Sequence, residues 1–211
     1  ENELYVNEVW PGDSVFPSFT NPKVRSWWAD KQKFLIDMGV RGVWNDMNEP
    51  ASFKGPLPDD VQFADEDDTA ILHKDAHNIY GHCMAMATKD GWLKYDGRRP
   101  FIITRAAYAG TQRYSMFWTG DNQSIWAHLQ MAIPQLCNLG LSGFSYAGTD
   151  VGGFGADTTK ELLARWVQVG CLSPFFRNHS AQGTRRQEPW QFDKELLEIY
   201  RKYVELRYRL L

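Results

Sequence analysis

The sequence of 211 residues lacks several features that would point to particular classes of protein. Its formal net charge is only -3, so neither nucleic acid nor an anionic membrane surface is indicated as a partner. It has no run of ~18 apolar residues and no leader-like segment after Glu1. We therefore expect a protein that binds neither nucleic acid nor membrane.

Cysteine is also scarce. The three cysteines, Cys83, Cys137 and Cys171, are an odd number and have no metal-type spacing. This pattern favours reduced thiols and predicts a cytoplasmic location. Two Asn-x-Ser sequons, at Asn122 and Asn178, fall within the candidate site described below, where a glycan would block access. We expect both to be unglycosylated.

Other catalytic motifs are missing or weak. The glycines between 148 and 155 do not form GxGxxG, and neither GxSxG nor a Cys-His arrangement stands out. His73 and His77 are four residues apart on a predicted helix, but without HExxH a surface or core pair is the better interpretation. The sequence predicts no metal ion and no organic cofactor.

The stretch from 39 to 50, GVRGVWNDMNEP, is the most informative part of the chain. The apolar run at 40–44 predicts a buried strand, and Asp46 follows at its carboxyl end, with Asn48 and Glu49 close behind. Either Asp46 or Asn48 could be a helix N-cap. Pro50 and a long following loop at 52–68 without helical periodicity argue against that role. We interpret Asp46 as a functional carboxylate.

Strand and helix patterns alternate along the whole chain, as in a parallel sheet with crossover helices. Predicted strands cover 4–10, 40–44, 100–104, 115–119, 143–147 and 171–176. Predicted helices cover 22–38, 74–90, 126–139, 159–169 and 194–211, the second stopping at Gly91. The strands end in turn on Trp10, Asp46, Arg105, Asp121, Asp150 and the segment 177–179. A doubly wound sheet concentrates its ligand groups at one switch point, so polar and aromatic residues at every strand end favour a (β/α)8 TIM barrel.

Only about six of the eight barrel strands can be recognised. We therefore expect residues 1–211 to form an incomplete catalytic barrel, about strands 3 to 8 with their helices. The early barrel strands and the flanking β-domains are expected to belong to the rest of a longer enzyme. Oligomeric state is left open.

Three aspartates at separate strand ends, Asp46, Asp121 and Asp150, suggest acid-base chemistry on a sugar. Retaining glycoside hydrolysis needs two carboxyl groups about 5 to 5.5 Å apart, one a nucleophile and one a proton donor. Each residue also has an ordinary interpretation: Asp121 lies in a typical Gly-Asp-Asn turn, Asp150 could close a loop, and Arg177 could pair with a core carboxylate. Their joint placement favours function.

Several long motifs occur in the order typical of one family. The sequence WPGDSVFPSFTNP at 10–22, WNDMNEP at 44–50, FWTGDN at 117–122, GTDVGGF at 148–154 and RWVQVGCLSPFFRNH at 165–179 resemble the α-glucosidases of glycoside hydrolase family 31, of the bacterial type. The similarity spans nearly the whole chain. DMNE around Asp46 is the α-glucosidase form, whereas α-xylosidases of the family typically carry a Lys and DFGE.

The resemblance implies roles for individual residues. Asp46 would be the nucleophile and Asp121 the general acid/base. Binding of glucose hydroxyls would fall to Arg105, Asp150 and His179, and the pocket would be lined by Trp10, Trp44, Met47, Trp118 and Phe154. Glu49 could hold Asp46 in place.

Two departures from the family pattern bear on this assignment. No segment matches the aspartate that the family carries on an early barrel strand for binding the non-reducing glucose. The sequence PFIITRAAYAG around Arg105 differs from the RSTFAG form of animal digestive members, which keeps the arginine and changes its neighbours.

The sequence therefore predicts a retaining, exo-acting α-glucosidase that removes terminal α-linked glucose from malto- and isomalto-oligosaccharides. Within the family the alternative is an N-glycan-trimming enzyme similar to glucosidase II. Outside this activity, a non-catalytic carbohydrate-binding barrel and a metal-dependent barrel enzyme using Asp46, Glu49 and a histidine are the other possibilities. Linkage preference, α-1,4 or α-1,6, is not predicted.

Overall fold

A computed structural model describes residues 3–211. The chain divides into two compact units, here called the N-terminal unit (1–116) and the C-terminal unit (117–211). Each is described by itself. In the part of the chain that the structure describes, no helix is long and apolar enough to cross a membrane.

The N-terminal unit begins with a hairpin of two short strands, β1 (Asn7–Val9) and β2 (Gly12–Ser14), which pair antiparallel. Trp10 lies in the turn between them, where Gly12 adopts a φ of +101°. The prediction of a parallel barrel strand ending at Trp10 is therefore wrong. A two-residue turn joins neighbouring antiparallel strands, whereas parallel strands need a long crossover.

Helix α1 (Pro22–Asp37) confirms the prediction for 22–38. Asn21 caps it: the side-chain oxygen accepts a hydrogen bond of 2.9 Å from the backbone N–H of Lys23. Proline at the first helical position costs nothing, because its missing N–H would have no partner within the helix.

Strand β3 (Gly42–Asn45) follows, displaced by two residues at its start from the prediction of 40–44. Beyond it, a second hairpin pairs β4 (Gln62–Ala64), inside the loop predicted at 52–68, antiparallel with β5 (Ala70–Leu72), which follows that loop. Three-residue strands are too short to produce a recognisable alternation in the sequence.

Helix α2 (His73–Tyr95) is longer than the predicted 74–90. Gly91 was predicted to end the helix but lies within it, at the contact with α1. A Cβ atom at this position would overlap the backbone carbonyl of Ala29 on α1. The glycine therefore allows α1 and α2 to pack in direct backbone contact.

Strand β6 (Phe101–Thr104) pairs parallel with β3, with Trp44 opposite Ile103 and Asn45 opposite Thr104. Both strands end at the same level, so Asp46 and Arg105 are the first residues beyond them. A short 3-10 turn (Thr111–Arg113) follows. The apolar core of this unit consists of Phe19, Leu57, Phe63, Ala76, Tyr80 and Cys83.

The C-terminal unit contains the strand β7 (Met116–Trp118), which starts at the boundary, the helix α3 (Trp126–Leu141) and the strand β8 (Ala147–Gly148). β7 and β8 pair parallel, with Trp118 opposite Gly148. Helices α4 (Lys160–Gly170) and α5 (Lys194–Leu210) complete it, with N-caps at Thr159 and Asp193. A 3-10 turn (Pro189–Gln191) precedes α5. Its core consists of Leu129, Val151, Leu162, Leu163, Ala164, Trp166, Val167 and Leu196.

The sixth predicted strand, 171–176, is wrong as a regular strand. The N–H groups of Leu172 and Ser173 bond back to Val169 and Gly170 at the end of α4, and Pro174 has no N–H to donate. Two backbone contacts with β8 and the residues after it are nevertheless present. The N–H of Phe175 donates to Ala147 O, and Asp150 forms an isolated parallel bridge with Arg177.

Candidate active site

In the N-terminal unit the site is built on Asp46, the first residue beyond β3. Its side chain is 28% exposed, and its Oδ1 lies 3.1 Å from Nη1 of Arg105. Arg105 is the first residue beyond β6, and its backbone N–H donates to Asn45 O at 3.0 Å, which continues the parallel ladder by one bond. The carboxylate and the guanidinium therefore meet at the ends of two rigid neighbouring strands.

The same guanidinium binds Glu49. Nε and Nη2 of Arg105 lie 2.8 and 3.0 Å from the two carboxylate oxygens of Glu49, a two-point pair with strong directional preference. Nη2 also lies 3.0 Å from the sulfur of Met47. Met47 has a φ of +56°, a left-handed conformation that is rare for a residue with a side chain.

The side chain of Asn48 anchors the loop after β3 to the end of β6. It is 2% exposed, its Nδ2 donates to Thr104 Oγ1 at 2.9 Å, and its Oδ1 accepts from the N–H of Ala106 at 3.0 Å. Gly81 on α2 makes room for this arrangement: a Cβ there would lie 2.7 Å from Asn48 O and 2.6 Å from Ala106 Cβ. Asn48 thus joins the ends of β3 and β6.

A second buried network supports the residue before Asp46. The Oγ1 of Thr88, on α2, donates to Met84 O at 2.8 Å and accepts from Trp28 Nε1 at 2.9 Å. It also accepts from Asn45 Nδ2 at 3.1 Å. Asn45 and Thr88 are 4% and 0% exposed, so the network fixes β3 against α2 at the point where Asp46 leaves the strand.

An apolar groove of about 850 Å³ opens beside β3 within the N-terminal unit, and four of the predicted site residues, Trp10, Trp44, Asp46 and Met47, line it. Trp10 is 77% exposed and packs edge-on against Phe53 with ring centroids 4.8 Å apart. Burial raises the pKa of Tyr80, another lining residue, well above its usual value, so its phenol stays neutral.

In the C-terminal unit Asp121 follows β7 and is exposed to solvent. It is preceded by Gly120 with a φ of +82°, a conformation that favours glycine. Trp118, at the end of β7, is fully buried, and the guanidinium of Arg177 lies 5.1 Å from its ring centroid. Trp118 was predicted to line the pocket, but its side chain is packed inside the C-terminal unit.

Asp150 lies two residues after β8 and is fully buried. Its Oδ1 is 2.7 Å from Nη2 of Arg177, whose side chain is 18% exposed. Arg177 therefore pairs with a buried carboxylate, that of Asp150, as its ordinary interpretation predicted. This does not remove Asp150 from the candidate site, but it places the carboxylate beneath the surface and next to a fixed positive charge.

Phe154 and His179 are brought together. Their rings stack with centroids 5.1 Å apart at an interplanar angle of 27°. Their segments are also joined by the backbone, since the N–H of Ala181 donates to Phe154 O at 2.9 Å.

The two sequons differ little in their surroundings. The amide nitrogen of Asn178 donates to Gln187 O at 2.8 Å. The amide of Asn122 is likewise engaged, by the backbone of Asp150. Both side-chain amides thus form hydrogen bonds within the fold.

The two histidines at the start of α2 contact each other. Nδ1 of His77 is 3.0 Å from Nε2 of buried His73, and Nδ1 of His73 is 3.2 Å from Pro58 O. His73 therefore uses both ring nitrogens for hydrogen bonds within the fold. Among residues 3–211 no group of three or more potential metal ligands comes together.

No role in the site was predicted for Asn48, Thr104 or Asn122. Their signal in the sequence is weak, because an asparagine near a strand end is usually a turn residue or a cap. Their side chains instead bond to the neighbouring strand end, a contact that only the sheet register creates.

The family model for the glycosyl hydrolases family 31 TIM-barrel domain matches residues 1–211, and the chain belongs to this family. The family assignment confirms the predicted class of fold and places the chain among glycoside hydrolases.

The individual relatives agree. The chain is 52% identical over 213 residues to Alpha-glucosidase 2 of Bacillus thermoamyloliquefaciens, covering 100% of this chain and 27% of the relative. Among solved structures it is similar to the glucosidase II alpha subunit in an alpha3-Glc2-bound form, with TM-score 0.90 and 37% identity over 97% of this chain and 23% of that one. It is also similar to the family 31 alpha-glucosidase of Bacteroides thetaiotaomicron, with TM-score 0.82 and 39% identity over 99% and 35%.

The chain thus spans about a quarter of the length of the curated relative and about a quarter to a third of these solved chains.

Proposed function

We propose that the chain supplies the catalytic residues of a retaining, exo-acting α-glucosidase and works as part of a longer polypeptide. The observation that carries this proposal is the arrangement around Asp46. A strand-end carboxylate borders an apolar groove and lies 3.1 Å from a guanidinium that is itself fixed by Glu49. The family membership supports the same chemistry.

In the proposed mechanism Asp46 attacks the anomeric carbon of a terminal α-glucoside while Asp121 donates a proton to the leaving oxygen. The bond to the leaving group breaks as the β-linked glycosyl-aspartate forms. Water, deprotonated by Asp121, then attacks the same carbon and releases Asp46, so the α-configuration is retained. No metal ion takes part in these steps.

The remaining predicted residues bind and orient the sugar. Arg105, Asp150 and His179 would hydrogen-bond to glucose hydroxyls. The aromatic groups Trp10, Trp44 and Phe154, with Met47, would contact the apolar faces of the ring. Glu49 would act indirectly, by fixing the orientation of Arg105 relative to Asp46.

The test is covalent trapping on the complete gene product that contains this chain. We expect 5-fluoro-α-glucosyl fluoride to inactivate it and to leave one glycosyl adduct on the peptide that carries Asp46, and we expect Asp46→Asn to acquire none. No adduct on an active preparation, or an adduct elsewhere, would refute the assignment. Unchanged turnover after exhaustive chelation would separately exclude the metal-dependent alternative, and binding without turnover would support the non-catalytic barrel.

The second candidate within the family is an enzyme similar to glucosidase II. It is favoured by the likeness to a structure described as alpha3-Glc2-bound. Initial rates on maltose, isomaltose and nigerose, the α-1,4-, α-1,6- and α-1,3-linked disaccharides, distinguish the two. A preference for the α-1,3 linkage would favour the second candidate.

A further inference from the structure

Asn122, the residue after Asp121, makes an unusual set of contacts within the C-terminal unit. Its side chain is only 9% exposed. Nδ2 donates to the carbonyl oxygen of Asp150 at 3.1 Å, and Oδ1 accepts from the N–H of the same residue at 3.2 Å. One side-chain amide thus forms both hydrogen bonds that a paired strand residue would form with Asp150.

The backbone of Asn122 is tied to the same loop. Its carbonyl oxygen accepts from the N–H of Phe154 at 2.7 Å and of Gly155 at 3.2 Å. Four hydrogen bonds from one residue therefore join the loop after β7 to the loop after β8. They constrain a segment of only a few residues.

The two loops also interlock sterically. The N–H of Ser124 donates to Gly155 O at 2.8 Å, and a Cβ at Gly153 would lie 2.5 Å from three atoms of Ser124. On the other side of Asp121, the N–H of Thr119 donates to Gly148 O at 3.1 Å. Asp121 is thus an exposed residue between two anchored points, and the nearer anchor is Asn122.

We propose that Asn122 is a positioning residue for Asp121, and that it fixes the backbone from which Asp121 projects relative to Asp150. This inference rests on the proposed function, in which Asp121 is the acid/base. Proton transfer requires the carboxyl group within about 2.6–3.2 Å of the leaving oxygen. A loop that drifts by about 1 Å can lose about 100-fold in rate.

A role in positioning the acid has a signature that a purely structural role lacks. Protonation of the leaving oxygen accelerates cleavage most when the leaving group is a poor one, that is, when its conjugate acid is weak. An enzyme with a misplaced acid therefore loses activity on alkyl and weakly acidic aryl glucosides and retains it on strongly activated ones. Loss of fold or of the nucleophile reduces all substrates equally.

The experiment compares kcat/KM on a series of aryl α-glucosides, in the complete gene product, for Asn122→Ala, Asn122→Ser and Asp121→Ala. The matched control is Asn138→Ala, which removes an exposed asparagine of α3. Thermal midpoints are recorded for every variant.

For Asn122→Ala we expect a loss of about 100-fold on the least activated glucoside and less than about fivefold on the dinitrophenyl glucoside. Asn122→Ser should show the same trend, more weakly, because its hydroxyl can replace only one of the two bonds. The control should not change the dependence on leaving group.

The outcomes separate the two levels of the proposal. If Asp121→Ala shows a steep dependence on leaving group and the Asn122 variants show a uniform loss or none, the positioning role is refuted and the proposed function stands. If Asp121→Ala itself shows no such dependence, the proposed function falls. If neither Asn122 variant folds, Asn122 serves folding and the positioning role is refuted.

Discussion

Arg105 binds both carboxylate oxygens of Glu49, at 2.8 and 3.0 Å. Its remaining terminal nitrogen, Nη1, lies 3.1 Å from Asp46 Oδ1. Two carboxylates three residues apart therefore share one guanidinium, and Glu49 takes the bidentate position. The two-point pair with Glu49 fixes the plane of the guanidinium and so orients Nη1 towards Asp46.

Replacing Glu49 by Gln should disturb the orientation of Arg105 between the two carboxylates. Gln keeps the volume and one acceptor oxygen but loses the charge, so Arg105 is no longer held and can turn towards Asp46. Hydrogen bonds to charged groups contribute about 1.5–3 kcal/mol, so we expect kcat/KM to fall by about 10- to 100-fold. Steady-state kinetics on an aryl α-glucoside measures the effect.

The matched control for this change is Glu161→Gln. Glu161 lies on α4, its side chain is 72% exposed, and it is 4.0 Å from Arg165. Exposed pairs of this kind contribute little, so kcat/KM should stay within about twofold of the parent. Full activity of Glu49→Gln would show that the orientation of Arg105 does not depend on its partner.

The sequence predicted that Asp46 and Arg105 follow strands, but not which residues hold the ends of those strands together. Asp46 and Arg105 were predictable because each directly follows a short apolar run. Asn48 and Asn122 were not, because their partners, Thr104 and the backbone of Asp150, are 56 and 28 residues away. No local pattern encodes such a pairing.

Elements of the fold were likewise predictable where their cause is local in the sequence, and not where it is a distant contact. The cap at Asn21 and the proline that follows it made the start of α1 predictable. Gly91 was misread as a helix end because the reason for a glycine there is the backbone of Ala29 on another helix. Trp10 was misread because the hairpin partner β2 is too short to leave a pattern.

Two glycines within helices test how closely the site is packed. At Gly81 an added methyl group would lie 2.7 Å from Asn48 O and 2.6 Å from Ala106 Cβ. Overpacking of this kind costs about 1–3 kcal/mol, more than the gain in helix propensity. We expect Gly81→Ala to lower the thermal midpoint and, by displacing Asn48, the activity as well.

Gly140 in α3 is the control, because nothing lies within 4 Å of a Cβ at that position. Gly140→Ala should therefore stabilise by about 0.5–1 kcal/mol through helix propensity alone. Thermal unfolding of both variants under one condition measures the contrast. Equal shifts for the two would mean that Gly81 is not a contact point.

The cysteines should differ in reactivity. Burial raises the pKa of the Cys83 and Cys171 thiols, whereas Cys137 is exposed on α3. Because the thiolate is the reactive form, iodoacetamide at neutral pH should label Cys137 first. Peptide mapping by mass spectrometry measures the order, and labelling in guanidinium chloride, where all three should react, is the control. Native labelling of Cys83 as fast as Cys137 would contradict the prediction.

His82 should make stability depend on pH. Its Nδ1 lies 2.8 Å from Thr111 Oγ1, which also accepts from the N–H of Tyr108 at 2.9 Å. Burial and then the charge of Arg113 lower the pKa of His82 below its ordinary value of 6.5. The neutral ring is therefore the form that the fold favours.

The sign follows from proton linkage. Between the lowered pKa and 6.5 the unfolded chain binds more protons at this position than the folded one, so stability falls as the pH falls through this window. For a single proton the slope is at most about 1.4 kcal/mol per pH unit. Above pH 7.5 both states are neutral at His82, and the residue contributes no pH dependence. His82→Asn can retain a bond to Thr111 and removes the titration.

Thermal midpoints of the parent and of His82→Asn, recorded from pH 8 to pH 5, measure the effect. We expect a constant difference between the two above pH 7.5. Below pH 6.5 the parent should lose stability more steeply than the variant. Parallel curves over the whole range would show that His82 is protonated as readily in the folded protein as in the unfolded chain, and that its packing against Thr111 does not favour the neutral ring.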